Sequence, residues 1–242
     1  MCARWITFVS QCGSATQRTR QRALFELAGI YALILVVIWT PRPWQWPLWG
    51  IAGVTLAAVI AVSFDGLEPM GICTTNLRRS LWGVFVALAV ATVAVWYAGK
   101  IHTLHLPSTP YLFIRHYGAY AVWATIQQLI LQCFFLSRSM RLLSDSTAAA
   151  GVSAGLFAVA HLPNPVLTLI TLVAGLASCL FFVRYRNLWP LAVAHAILGI
   201  SIAITIPTQV HHNMGVGIGY LRYVDRTAIA QSLTSPKTAR PN

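Results

Sequence analysis

The chain has 242 residues, of which 57% are hydrophobic and 9% are charged, and its mean hydropathy is +0.66. Soluble domains usually carry about 25% charged residues, so this composition excludes an ordinary water-soluble protein and predicts an integral membrane protein. The net charge of +12 comes from 17 Lys and Arg against 5 Asp and Glu. Because no nucleic-acid motif is present, we interpret the charge as anchoring at an anionic leaflet and as control of topology.

Seven apolar runs approach the length of roughly 17 to 25 residues that a membrane-spanning helix needs. Each must be helical in lipid, because a helix satisfies its own backbone polar groups. The stretch 101–116, with three His and two Pro, is a candidate for an eighth membrane element. The prediction is an all-α, polytopic transmembrane helix bundle with seven to eight spans. The seven runs are residues 23–39, 46–62, 81–97, 117–136, 147–161, 166–183 and 188–206.

The sequence divides into three predicted regions. Residues 1–22 form a basic N-terminal segment, 23–207 the transmembrane domain, and 208–242 a polar C-terminal tail, which we expect to be disordered from about Arg226. The arginines before the first span favour a cytoplasmic N-terminus by the positive-inside rule. The expected location is the cell membrane, with multiple passes.

Polar side chains at membrane depth are concentrated on three of the predicted spans. Such residues are costly in lipid and usually face the interior of the bundle. Gln128 and Gln132 are four residues apart and share a helix face, as do Phe157 and His161. A structural role is the more common one for any single residue, but five polar residues on three helices predict a shared site. These five are Gln127, Gln128, Gln132, His161 and His195.

The same three segments resemble the CPBP family of CAAX-protease and bacteriocin-processing membrane proteins, over about residues 117–206. The family motifs are Glu-Glu-x-x-x-Arg, Phe-x-x-x-His and His-x-x-x-Asn or Asp. Phe157-Ala-Val-Ala-His161 matches the second motif fully. The first motif falls on Gln127-Gln128-Leu-Ile-Leu-Gln132, and the third begins at His195 but has Gly199 at its Asn position.

The resemblance implies that a glutamate and two histidines activate a water molecule against a peptide carbonyl, while the Asn helps to stabilise the oxyanion. It assigns catalytic positions to His161, His195 and the three glutamines. Phe157 and Asn164, which lie beside His161, are candidate substrate-binding residues. Gln127 and Gln128 cannot take a proton, and loss of a general base typically costs about 10²–10⁴-fold in rate.

The cofactor is left open by the sequence. A divalent metal such as zinc is possible, with His161 and His195 as ligands. Two histidines without a carboxylate or thiolate are few ligands for zinc. Cys133 is a possible further ligand that we consider less favourable than a core position.

Three functions remain compatible with these residues. The first is a CAAX-type intramembrane endopeptidase that hydrolyses peptide bonds of membrane-associated or prenylated substrates, with His161 or His195 as base. The second is an inactive family member that binds a membrane-embedded or lipid-modified peptide as an accessory or immunity factor. The third is different chemistry on an isoprenoid or another lipid. In all three, the expected partners are this peptide or lipid and the bilayer, and not nucleic acid.

Overall fold

The computed structural model describes residues 2–63 and 66–234, with side chains described for 17–63 and 66–229. All regular structure in these residues is helical, and they contain no strand. This confirms the predicted all-α class. The helices, in chain order, are α1 (Cys2–Trp39), α2 (Gln45–Val62), α3 (Leu77–Ser80), α4 (Trp82–Lys100), α5 (Pro110–Leu129), a π-helix (Ile130–Leu136), α6 (Ser137–Leu142), α7 (Ser146–Val159), α8 (Pro165–Tyr185), α9 (Trp189–Thr205), α10 (Thr208–His211), a 3₁₀ turn (His212–Met214) and α11 (Ile218–Thr234).

Every one of the seven predicted runs is helical, but fewer of the helices are long enough to cross a bilayer. Five described helical segments meet the length and hydropathy that a span requires, and a sixth does so if α9 and α10, which meet at a 120° bend, are counted together. At about 1.5 Å per residue, the 14 residues of α7 cover only about 21 Å of a hydrocarbon core of about 30 Å. The five are Gln17–Trp39, Gln45–Val62, Leu77–Lys100, Pro110–Leu142 and Pro165–Tyr185.

The proposed eighth element is wrong. No helix lies between Lys100 and Pro110, and residues 110–116 are the first turns of α5. Thr109 caps that helix by accepting a hydrogen bond from the Leu112 amide at 3.2 Å, with Pro110 at the first helical position. The cap explains why the chain starts a long helix here instead of a separate re-entrant piece.

The outer helices present apolar side chains that no other part of the described chain covers. Only 6% of the α2 span and 11% of the Leu77–Lys100 span are buried. Phe25, Val54, Phe85 and Trp96 are each more than 60% exposed. A water-soluble protein does not leave such continuous apolar faces open, so these faces are lipid-facing and the protein is an integral membrane protein.

The buried core lies where α1, the π-helix, α7, α8 and the start of α9 meet. Its members include Leu131, Phe134, Phe157, Phe182 and Leu188. Cys133 and Cys179 are also buried here, as small apolar residues of the predicted kind. This packing fixes the three motif-bearing segments relative to one another.

The C-terminal region differs from the prediction. Helix α11 continues to Thr234, so the expected disorder from about Arg226 is wrong up to that residue, and residues 235–242 lie outside the described part. Gly217 has φ +50, and a Cβ there would overlap Ile38 at the end of α1. Glycine therefore allows the chain after α10 to return against α1.

Candidate functional site

A chain of amide hydrogen bonds connects α5, the π-helix, α8 and α9. Gln132 donates from Nε2 to Gln128 Oε1 at 3.0 Å and to Ser178 Oγ at 3.1 Å. Gln128 Nε2 lies 3.1 Å from His195 Nδ1. Both glutamines are buried, with exposures of 5% and 1%. Hydrogen bonds therefore link two residues at first-motif positions, Gln128 and Gln132, to His195 of the third motif.

The π-helix over Ile130–Leu136 is part of this arrangement. Segments with i→i+5 hydrogen bonds are rare and occur frequently at functional sites. Here the π-helix begins two residues after Gln128 and includes Gln132, and it buries six of its seven residues. No feature of the sequence predicted the π-helix, because its apolar run is equally compatible with an α-helix.

His161 lies in the turn after α7, one helical turn beyond Phe157. Its Nδ1 is 2.7 Å from the Phe157 carbonyl oxygen. Because a carbonyl can only accept, Nδ1 must carry the proton, and a neutral His161 has its lone pair on Nε2. The side chain is half-buried. His161 is therefore arranged as a proton acceptor.

The Phe157 ring contacts the rings of both histidines. Its centroid lies 4.8 Å from that of His161 and 6.3 Å from that of His195, both in edge-to-face contacts. Phe157 itself is 8% exposed. The predicted second and third motifs thus meet in space, with both imidazoles at one aromatic ring.

His195 has the opposite protonation pattern. Gln128 Oε1 accepts from Gln132, so the Gln128 amide nitrogen is the group that faces His195 Nδ1. An amide N–H donates, so Nδ1 is the acceptor and a neutral His195 carries its proton on Nε2. One imidazole of the site is therefore a base and the other a donor.

Tyr120 is a member of the site that the sequence analysis missed. A Cβ added to Gly199 would overlap the Tyr120 hydroxyl and lie 2.5 Å from its Cζ. The Tyr120 ring is also in edge-on contact with His195, at 6.5 Å between centroids. The available signal was its spacing: Tyr120, Ala124 and Gln128 lie at i, i+4 and i+8 on one side of α5.

Two predicted site residues lie apart from this cluster. Gln127 is half-buried and takes no part in the amide chain of Gln128 and Gln132. Asn164 is fully buried, accepts from the Leu167 amide as the cap of α8, and donates to the carbonyls of His211 and Gly215. Its side chain is bonded to backbone throughout, which is a structural role.

Asn164→Ala is expected to lower the free energy of unfolding by about 2–4 kcal/mol, because it removes a helix cap and leaves two carbonyls without their donor. The rate of any reaction per folded molecule should change little. Denaturant unfolding in detergent micelles measures the first quantity. Normal stability combined with weaker peptide binding would instead support the predicted substrate contact.

The described acidic and metal-binding side chains are not gathered at this cluster. Glu26 pairs with Arg22 at 2.7 Å and Arg138 at 3.1 Å. Cys133 donates its thiol to the Met70 carbonyl at 3.1 Å. The described residues contain no group of three His, Cys, Asp or Glu that could hold a metal. Catalytic zinc sites use three protein ligands, so two imidazoles, of which His195 has its lone pair engaged at Nδ1, do not fit such an ion.

Comparison with protein families supports the resemblance. The model of the family described as "Type II CAAX prenyl endopeptidase Rce1-like" matches residues 109–200. This match supports membership of the CPBP family for residues 109–200, which are less than half of the chain. No curated protein and no solved structure matched the chain. The CPBP match begins at the cap of α5 and ends one residue after Gly199, so it includes the positions of all three motifs.

The CPBP segment is thus CAAX-protease-like in sequence, lies in apolar helices and brings its motif positions together. Its charge differs from the family pattern, because amides occupy the positions of both carboxylates and of the arginine. The three replacements are mutually consistent: a buried arginine without its carboxylate would be strongly destabilising.

Proposed function

We propose that the protein is a CAAX-type intramembrane endopeptidase that hydrolyses peptide bonds of membrane-associated or prenylated substrates. The observation that carries the proposal is the pair of complementary imidazoles at Phe157. His161 presents a lone pair on Nε2, and His195 presents an N–H on Nε2. Hydrolysis of an amide needs both a base for water and a donor for the oxyanion.

In the proposed reaction, His161 Nε2 takes a proton from water while the water oxygen bonds to the peptide carbonyl carbon. The carbonyl oxygen becomes an oxyanion, which accepts a hydrogen bond from His195 Nε2–H. Collapse of this intermediate breaks the C–N bond, and the imidazolium of His161 returns its proton to the leaving nitrogen. The products are a carboxylic acid and an amine, so no external acid or oxidant is required.

Alanine substitutions of the two histidines test this proposal. Cleavage of a membrane-peptide library in proteoliposomes is expected to fall by about 10²-fold in His161→Ala and in His195→Ala, at the lower end of the usual loss of an acid–base group. The exposed His116→Ala variant is the matched control and should keep the wild-type rate. Cleavage that survives both substitutions would show that the imidazoles are not the catalytic groups.

A second function is favoured by the neutrality of the cluster. Amides stand at the carboxylate positions of the first motif, and the carboxylate of Glu26 is engaged with two arginines. A family member of this kind would bind a lipid-modified or membrane peptide without cutting it. Folded wild-type protein that binds a farnesylated peptide but releases no product would support this function over hydrolysis.

We further propose a cell-membrane location with the N-terminus in the cytoplasm. The support is the set of arginines at the N-terminal end of the first span, Arg18, Arg20 and Arg22. Labelling of single cysteines introduced before Gln17 with an impermeant thiol reagent in intact cells tests the side. Labelling from outside would reverse the orientation.

A further inference from the structure

We propose that Tyr120 is a catalytic residue of the site, and that its hydroxyl donates a hydrogen bond to the oxyanion in place of the asparagine that is absent at position 199. This inference rests on the proposed hydrolysis and names a further group for it. No motif position falls on Tyr120, which comes from α5 and not from α9.

The geometry of α9 supports this placement. Gly199 follows His195 by one helical turn and is therefore on the same side of the helix. Gly199 is buried, and the atom nearest to the point where its Cβ would lie is the Tyr120 hydroxyl oxygen. A hydroxyl supplied by α5 thus occupies the volume into which a side chain at position 199 would project.

The arrangement of α5 keeps Tyr120 in that position. Ala124, one turn later, is fully buried, and its small side chain allows α5 to approach α9 closely. One further turn along, Gln128 contacts His195. The face of α5 that contacts α9 therefore carries a hydroxyl and an amide, and the His195 ring lies next to both.

Tyrosine can supply the hydrogen-bond donor that the oxyanion needs. Its phenol is a hydrogen-bond donor, as is the side-chain amide of asparagine. Tyr120 is half-buried, so it is not completely enclosed by the helices around it. The competing explanation is that Tyr120 only fills the space left by a glycine. The two explanations differ in whether the oxygen atom matters.

Tyr120→Phe separates them, because it keeps the ring and removes the oxygen. The measurement is equilibrium binding, in proteoliposomes, of a farnesylated CAAX peptide and of its phosphinate analogue, in which a tetrahedral anionic group replaces the scissile amide. Wild type is expected to prefer the phosphinate. Tyr120→Phe should lose about 10²-fold of that preference, the usual effect of removing one oxyanion donor, with unchanged affinity for the parent peptide.

A pair of further variants tests the shared volume. Gly199→Asn alone should fold poorly, because the new side chain overlaps Tyr120. The double variant Tyr120→Ala/Gly199→Asn should fold and recover part of the phosphinate preference. Equal preference in wild type and Tyr120→Phe, or no preference in wild type, would overturn the inference.

These outcomes are distinct from failure of the proposed function. Binding of the phosphinate does not require turnover, so a wild type that prefers the analogue but releases no product would refute hydrolysis while supporting the role of Tyr120. Conversely, product release that depends on both histidines but not on the Tyr120 hydroxyl would support hydrolysis and refute this inference.

Discussion

Gln128→Glu is expected to raise the rate of peptide cleavage by about 10²–10⁴-fold, the usual contribution of a general base. Gln128 is the motif residue whose side chain contacts His195, at 3.1 Å from its Nδ1. A carboxylate only accepts hydrogen bonds, so beside glutamate His195 must carry a proton on Nδ1, and the added negative charge favours the imidazolium, which also keeps the Nε2–H donor. The substitution therefore adds a proton acceptor to the site without removing the oxyanion donor.

The neighbouring residue provides the matched control. Gln127→Glu introduces the same charge one position earlier, where the side chain is outside the amide chain. We expect that variant to retain the wild-type rate. Initial rates in proteoliposomes, with equal amounts of folded protein, give the comparison. An increase in the Gln127 variant alone would mean that the amide chain is not the catalytic centre.

The outcome for Gln128→Glu also separates the two proposed functions. A measurable wild-type rate that increases would identify an active peptidase with a weakened base. Activity present only in the glutamate variant would show that the scaffold still positions a substrate and that the base is the missing element. A folded Gln128→Glu variant without activity would contradict the assignment of this residue to the first motif.

Glu26→Gln is expected to lower the free energy of unfolding by about 3–5 kcal/mol, because it removes the carboxylate from a buried arginine. Arg138 has only 3% of its side chain exposed, and its Nε lies 3.1 Å from Glu26. The guanidinium also lies 4.8 Å from the Phe134 ring centroid, inside the core. Replacing the partner of a buried charge lowers the free energy of unfolding far more than replacing the partner of an exposed charge.

Arg22 gives the control for this effect. It binds the same carboxylate at 2.7 Å, but its side chain is 54% exposed. Exposed ion pairs contribute about 1 kcal/mol or less, so Arg22→Gln should change the stability little. Unfolding by SDS in mixed micelles measures both variants. Similar losses for Glu26→Gln and Arg22→Gln would show that burial of Arg138 does not determine the energy.

The Glu26–Arg138 ion pair and the amide chain border the same cavity. Gln132 and Arg138 both line a cavity of about 50 Å³ between the π-helix, α2 and α8. Of the amide chain, the cavity lining includes Gln132 and not Gln128. The ion pair therefore borders the amide chain only at its Gln132 end.

The sequence was sufficient to predict the helical class, because long apolar runs in lipid have no alternative to helix. Its count of seven to eight spans exceeds the five or six that meet the length criterion among the described residues, in part because α7 has the right composition but only 14 residues. The bend after α9 was not predicted either, because Pro207 indicates where a helix ends but not the direction of the chain after it.

The site was predictable where residues repeat on a helix face. Gln128 and Gln132, and Phe157 and His161, were paired by spacing, and the structure shows both pairs in contact. Tyr120 could not be found in this way, because the observation that identifies it is the glycine on another helix. A buried helix cap and a substrate ligand have the same signature in one sequence, so the cap that Asn164 forms was not predicted.

The segment that follows α9 supports the loop with His161 from outside the family match. Asn164 donates hydrogen bonds to the carbonyls of His211 and Gly215, and the Gly217 amide donates to the Leu162 carbonyl at 2.8 Å. The smallest unit that keeps this histidine in place therefore extends beyond residue 200. A protein truncated after residue 200 would retain every motif residue but would lose the hydrogen bonds that hold the turn containing His161. Boundaries for crystallisation or fusion are therefore better set after α11.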